Sequence, residues 1–294
     1  YPFKLQQEFK DKINSLQKLS NSHSVKLIDR VNEYFCSINI PVKLDFEAIK
    51  TIFTKGLVRE RHIAKAIRIA ISNIAQDGYP VDDVFVKLFN DKQFKQTKQD
   101  NALFENVLRN FLLKTGGPAF VPEDETAFLS INDLCEIIIS AGGIPCYPVL
   151  LDDTKGNLTD FEQDRDKMHQ FFTVHKIACL ELIPSRNNCD ILTDFVQYFH
   201  KKGYIIIFGT EHNTPVLTSM RVACRNNISL SKELSEISFE AASVIAAHQY
   251  IKKSLSALPA ELEGGFLDND NFPKKELIKE FATFGKKLIF NCFK

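Results

Sequence analysis

Three consecutive side chains, Glu211, His212 and Asn213, place a carboxylate, an imidazole and an amide side by side. Together they could offer hard oxygen ligands and a nitrogen ligand to a divalent cation. They follow Gly203-Tyr204-Ile205-Ile206-Ile207-Phe208-Gly209-Thr210, whose apolar, β-branched centre is bounded by glycines. Such a run reads as a fully buried strand of a parallel sheet. In α/β barrels and open α/β sheets the chemistry gathers at the carboxyl ends of strands, which makes the 209–213 segment the leading functional candidate. The alternative is a polar turn that only caps the strand.

Other side chains suit the same chemistry. Arg61 and His62 fall at the start of a helical pattern, where free N–H groups and the helix dipole favour anions. A guanidinium and an imidazole there suit a phosphate or a metal-bound anion. Glu181 interrupts an apolar strand, so its carboxylate needs a metal, an arginine or solvent. Arg186 and Asn187 follow at that strand's carboxyl end and could grip a phosphate. His175 precedes a strand and reads as a helix C-terminal histidine, while His23, His169, His200 and His248 lie in helical patterns. No nucleophile elbow, phosphate-cradling glycine loop or His-Glu-x-x-His is present, so metal and phosphate chemistry is the one recurring theme.

The elements that must position these groups can be read in order. Helical periodicity covers 3–18 and 23–37, Asp45 caps a short helix through Phe53, and Arg59 or Glu60 opens another. In that helix Ile63, Ala66, Ile67, Ala70, Ile71 and Ile74 form an apolar stripe that ends at Gly78-Tyr79-Pro80. Two further helices are expected near 81–90 and 101–114. Residues 1–115 are thus expected to be helical, with 116–225 alternating helix and strand. Ser130 caps a helix to about Ser140, and strands are expected at 144–151, 177–183 and 204–208 with helices at 160–175 and 190–202 between them. Either an α/β barrel or a doubly wound sheet fits this alternation. Long helices at 232–254 and 274–288 fill the last segment, 226–294.

Composition adds exclusions. With 37 basic and 37 acidic residues among 294, the chain is formally neutral, and no global field points to nucleic acid or a membrane surface. No apolar run approaches the ~20 residues that span a bilayer. Seven scattered cysteines without a Cys-x-x-Cys pair suggest reduced thiols in a cytoplasmic protein rather than a disulfide frame or zinc knuckle.

Several segments, taken in order over about residues 50–215, resemble the PHP (polymerase and histidinol phosphatase) superfamily. Gly56-Leu57-Val58-Arg59-Glu60-Arg61-His62-Ile63-Ala64-Lys65-Ala66 resembles that family's Arg-Pro-His-Ile-Ala-Arg-Ala helix. Gly117-Pro118-Ala119-Phe120-Val121-Pro122 resembles its Pro-Ala-Tyr-Val-Pro loop, and Ser140-Ala141-Gly142-Gly143-Ile144-Pro145-Cys146 its Ala-Gly-Gly segment. Leu180-Glu181-Leu182-Ile183-Pro184-Ser185-Arg186-Asn187 is similar to its Gly-Ile-Glu strand and loop, and Gly209-Thr210-Glu211-His212 to its Gly-Ser-Asp-x-His. The sequence departs from the pattern where Tyr147-Pro148 replaces a ligand histidine, where Glu211-His212-Asn213 replaces Asp-x-His, and in having no His-x-His pair. An uncharacterised PHP-like subgroup with Gly-Thr-Glu-x-Asn at the last motif is more similar.

The resemblance implies a distorted (βα)7-type barrel, here lacking its first strands or carrying an altered metal site, with residues before Gly116 as a helical insertion over its mouth. It implies metal-dependent hydrolysis of phosphate esters using Mn, Zn or Fe, on a small phosphorylated substrate. The candidate metal set is Glu211, His212, Asn213, His62 and Glu181, and the phosphate set is Arg61, Arg186 and Asn187. Alternatives are a non-catalytic domain that binds a phosphorylated metabolite through the same residues, or a structural or interaction domain.

Overall fold

The computed structural model describes residues 5–89, 100–212, 219–253, 265–268 and 272–291. They form two compact units, one of Gln7–Phe128 and one of Leu129–His212 with the described residues from 219 on. Asn213 and Cys292 lie outside the described residues.

The first unit is helical: α1 Gln7–Ser37, α2 Phe46–Phe53, α3 Glu60–Gln76, α4 Val81–Phe89 and α5 Asn101–Leu112. Its core runs along the C-terminal half of α1 (Leu27, Ile28, Val31, Phe35) onto Ile63, Ile67 and Ile71 of α3 and Leu108 and Leu112 of α5. Local chemistry sets the helix starts. Asp45 Oδ1 accepts from Ala48 N at 2.7 Å, and Asp100 Oδ1 accepts from Ala102 N and Leu103 N. At α3 the cap is unusual, because the Arg59 N–H donates to Nδ1 of His62 at 3.0 Å. The expected break between residues 18 and 23 does not occur, and α1 is one helix. Its polar midpoint makes tertiary bonds instead: Asn21 Nδ2 donates to Gly56 O at 2.8 Å and Ser24 Oγ to Val58 O at 3.0 Å.

The second unit is built on a parallel sheet in the order β1 Cys146–Pro148, β2 Cys179–Leu182, β3 Ile205–Phe208. Cys146 lies opposite Cys179, and Cys179 opposite Ile205. Helix α6 Ile131–Ser140 leads in, capped by Ser130, whose Oγ accepts from Asp133 N. The crossovers are α7 Arg165–Val174 and α8 Cys189–Lys201, and α9 Lys232–Lys253 and α10 Lys275–Asn291 come after them. The strand period of two distributes the side chains. Leu180, Leu182 and Ile206 pack with Phe172, Phe195 and Phe199 of α7 and α8. Cys179 and Ile205 pack with Ala241, Val244 and Ala247 of α9 and Phe281 of α10. Helices therefore cover both faces. Burying each of those phenylalanines contributes about 1.5–3 kcal/mol.

This corrects the expected (βα)7-type barrel. Among the described residues only three strands are parallel, and the sheet does not close. A barrel closes only when every strand pairs on both sides, whereas β1 and β3 each pair only with β2 among the described residues. After β3 the chain forms a short antiparallel ribbon, β4 Ala223–Cys224 with β5 Ile228–Ser229, and then two long helices instead of further βα units. The first strand is also shorter than the expected 144–151. Pro145 and Pro148 lack the N–H that a ladder needs, and Leu151 turns to positive φ (59°).

Three histidines titrate abnormally. Burial holds His62, His169 and His248 below the ordinary value of 6.5, with Lys65, Lys202 and Lys252 respectively adding charge repulsion. His248 Nε2–H donates to Gly142 O at 2.8 Å, tying α9 to the turn after α6. A depressed folded pKa means that the unfolded chain takes up protons first as pH falls. Their stabilisation is complete above pH 6.5 and is lost as pH drops from there through the lower folded values. The urea midpoint is accordingly expected to fall between pH 7.5 and 5.5, and less steeply in H248Q. An unchanged or rising midpoint would contradict this.

Candidate functional site

The carboxyl ends of β2 and β3 meet at Gly209, whose N–H donates to Leu182 O at 2.9 Å. Glu181 is the exposed member of an otherwise buried strand. Its carboxylate lies directly over Gly209: a Cβ there would sit 3.2 Å from Glu181 Oε1. Beyond β2 the chain makes a tight helical turn, Pro184–Arg186, and then enters α8 through Asn188, whose Oδ1 accepts from Asp190 N and Ile191 N. The two loops meet in an ion pair, Arg186 Nη1 to Glu211 Oε2 at 3.3 Å. Thr210 Oγ1 lies 2.9 Å from His212 Nε2.

Beside these loops is a cavity of about 220 Å³, lined among others by Ser185, Thr210, Glu211, Ser219, Arg221 and Cys224. One wall is the β4–β5 ribbon. Arg221 Nη2 donates across it to Ser229 Oγ at 3.2 Å. A two-by-two-residue ribbon has too little pairing to hold itself in place, so its position depends on ties to the rest of the unit. Arg225 supplies them. Its backbone N–H donates to Asn187 O at 2.9 Å, its Nη1 pairs with Asp152 Oδ2 at 2.9 Å, and its Nη2 donates to Asp152 O at 3.1 Å and to Arg186 O. The Asp152 side chain is fully buried and also accepts from Asn188 N. A disulfide between Cys189, at the start of α8, and Cys224 of β4 completes the attachment.

The sequence candidates are thus distributed. Glu181, Arg186, Glu211 and His212 cluster around the ends of β2 and β3. Asn187 is buried beneath them, with Nδ2 donating to Leu150 O (2.9 Å) and Asp152 O (3.3 Å). Its Oδ1 has no hydrogen-bond partner among the described residues. Arg61 and His62 are in the helical unit, where Arg61 is exposed and the His62 ring is part of the α3 cap. Sequence reasoning missed Asp152, Arg221, Arg225 and the disulfide. No motif marks them, because Arg225 and Asp152 meet only through a fold that joins positions 73 residues apart. The expectation of reduced thiols is likewise revised, since Cys189 and Cys224 are bonded while Cys36, Cys135, Cys146 and Cys179 are free.

Glu211 and His212 each have a partner within the site, Arg186 and Thr210 respectively. Among the described residues no three His, Cys, Asp or Glu side chains are grouped to hold an ion. The residues that line the recess can hold an anion: Arg221, Ser185, Thr210 and Ser219 lie on its walls, together with Glu211 of the Arg186 ion pair. Among the described residues, no helix is long and apolar enough to cross a membrane. No known protein family matches the chain, and no curated protein or solved structure does.

Proposed function

We propose that the recess at the carboxyl ends of β2 and β3 binds a small phosphorylated molecule. The observation that carries this reading is the cavity itself. Arg221, Ser185, Thr210 and Ser219 line one space of about 220 Å³, at the end of a parallel sheet where ligands of such folds gather. Its size suits a phosphate with a short polar body, and the resemblance of residues 180–187 and 209–212 to the PHP superfamily supports phosphate as the anion. Arg186 matters through Glu211, whose negative charge it offsets at the rim.

Calorimetric titration with inorganic phosphate and small phosphate monoesters tests the reading. Saturable binding is expected, and R221A is expected to weaken it by about tenfold or more, the value of one charge-assisted hydrogen bond of about 1.5–3 kcal/mol. Absence of heat and of thermal stabilisation at millimolar phosphate would contradict the proposal. The two carboxylates flanking Gly209, Glu181 and Glu211, favour a second reading, hydrolysis of the bound ester. Release of phosphate from p-nitrophenyl phosphate with added Mn²⁺, Zn²⁺ or Fe²⁺, lost in E181Q, would support it.

A further inference from the structure

We infer that the Cys189–Cys224 disulfide is a thiol-sensitive fastening on the wall of this cavity, and that its reduction loosens the wall and weakens the site. The inference rests on the phosphate reading for its effect on binding, but its mechanical part stands on geometry alone. Cys224 lines the cavity and occupies half of β4, which pairs with β5 over only two residues. Such a ribbon is not stable by itself. Its two sets of ties are the Arg225 contacts to Asp152, Arg186 and Asn187 and the covalent bond to Cys189. The disulfide and the Arg225 bonds to Arg186 and Asn187 end on the segment 186–189, which also supplies Arg186 to the rim, and the remaining Arg225 contacts end on Asp152. Opening the disulfide removes the covalent tie and leaves the wall held by the Arg225 contacts alone, with the sheet and its two helical layers in place.

The two sulfurs are unequal. Cys224 is 1% exposed, whereas Cys189 is half-buried at the first position of α8. A small thiol as reductant reaches Cys189 first. Its thiolate attacks Cys189 Sγ, forming a mixed disulfide and expelling Cys224 as a thiolate that takes up a proton. A second thiol attacks the outer sulfur of the mixed disulfide, frees Cys189 and leaves as the oxidised small disulfide. One protein disulfide is reduced and two thiols are oxidised, so two electrons are transferred. The freed Cys189 sulfur sits at the first position of a 13-residue helix, next to the N-cap Asn188.

The experiment compares the whole chain oxidised, reduced with dithiothreitol, and as the C189S/C224S variant. Two readouts are taken on each: affinity for inorganic phosphate, and amide hydrogen exchange over residues 219–229. Among the described residues the other cysteines are already free, so the reductant reports on this bond. Reduction and the double substitution are expected to act alike, raising exchange in the ribbon and weakening phosphate by about tenfold through lost preorganisation. Unchanged exchange and affinity in the reduced protein would overturn the inference. So would alkylation showing both cysteines free after mild oxidation. If exchange rises but no form binds phosphate, the fastening stands and the phosphate reading falls.

Discussion

Replacing Arg225 by methionine is expected to destabilise the sheet-containing unit by about 3–5 kcal/mol, the usual cost of stranding a buried charge. The Asp152 side chain has no solvent exposure, and Arg225 is its charged partner at 2.9 Å. Without the guanidinium the carboxylate keeps only the Asn188 N–H, and Asp152 O and Arg186 O each lose a donor. Urea unfolding monitored by circular dichroism reads the effect. The buried-charge explanation makes a second demand: D152N in the R225M background should recover a large part of the loss, because an amide is far cheaper to bury than a carboxylate. Additive losses in the double variant would instead locate the cost in lost packing of the Arg225 stem. The ribbon should loosen in R225M as well, since the lost guanidinium held it to Asp152 and to Arg186 O, while the backbone bond from Arg225 N–H to Asn187 O remains.

The second large effect is expected at Gly285→Ala. In an exposed helix this change would stabilise by about 1 kcal/mol. Here a Cβ at position 285 would fall 1.8 Å from the backbone oxygen of Ser243, so α9 and α10 must separate to admit one methyl group. The layer they form covers Cys179 and Ile205 of the sheet through Val244, Ala247 and Phe281. A net loss of about 2–3 kcal/mol is expected, as for overpacked cores. The collision is with main chain, so trimming the neighbour by S243A should not rescue it. Wild-type or greater stability in G285A, measured by thermal unfolding, would contradict the close crossing.

Much of the fold was legible in residues with one local solution. Asp45 and Ser130 each present a short oxygen to the first turn of a helix, and the Ile63–Ile71 stripe allows one buried face. Tyr204–Phe208 is too apolar and β-branched to lie elsewhere than inside a sheet, and β3 occupies Ile205–Phe208. Where the reading failed, long-range partners decided. The Ser20-Asn21-Ser22 run looks like a break in isolation, yet Asn21 and nearby Ser24 spend their polar groups on Gly56 and Val58, and α1 continues through them. The barrel expectation failed because alternating helices and strands are common to closed and open sheets. Strand number is set by the chain beyond β3, and there the helix-forming sequence of α9 and α10 supplies a covering layer.

The site was legible in part, for the same reason. Glu181, Arg186 and Glu211 stand out because polar groups at the ends of apolar strands are conspicuous, and they do come together around Gly209. Asn187 was visible but its environment was not: burial commits its amide to Leu150 O and Asp152 O. Glu162 is a comparable case. Its buried carboxylate accepts from Leu150 N at 2.8 Å and Leu151 N at 3.1 Å, closing off the loop after β1, and no local pattern announces it.

Binding of an anion in the recess beside β3 is tested most directly by a phosphate titration read at individual backbone amides by heteronuclear NMR. Saturable shifts confined to Thr210, Glu211 and the 219–227 wall, with one dissociation constant and abolished in R221A, are the predicted result. Shifts that are absent, or that scatter over surface lysines without saturating, would contradict it.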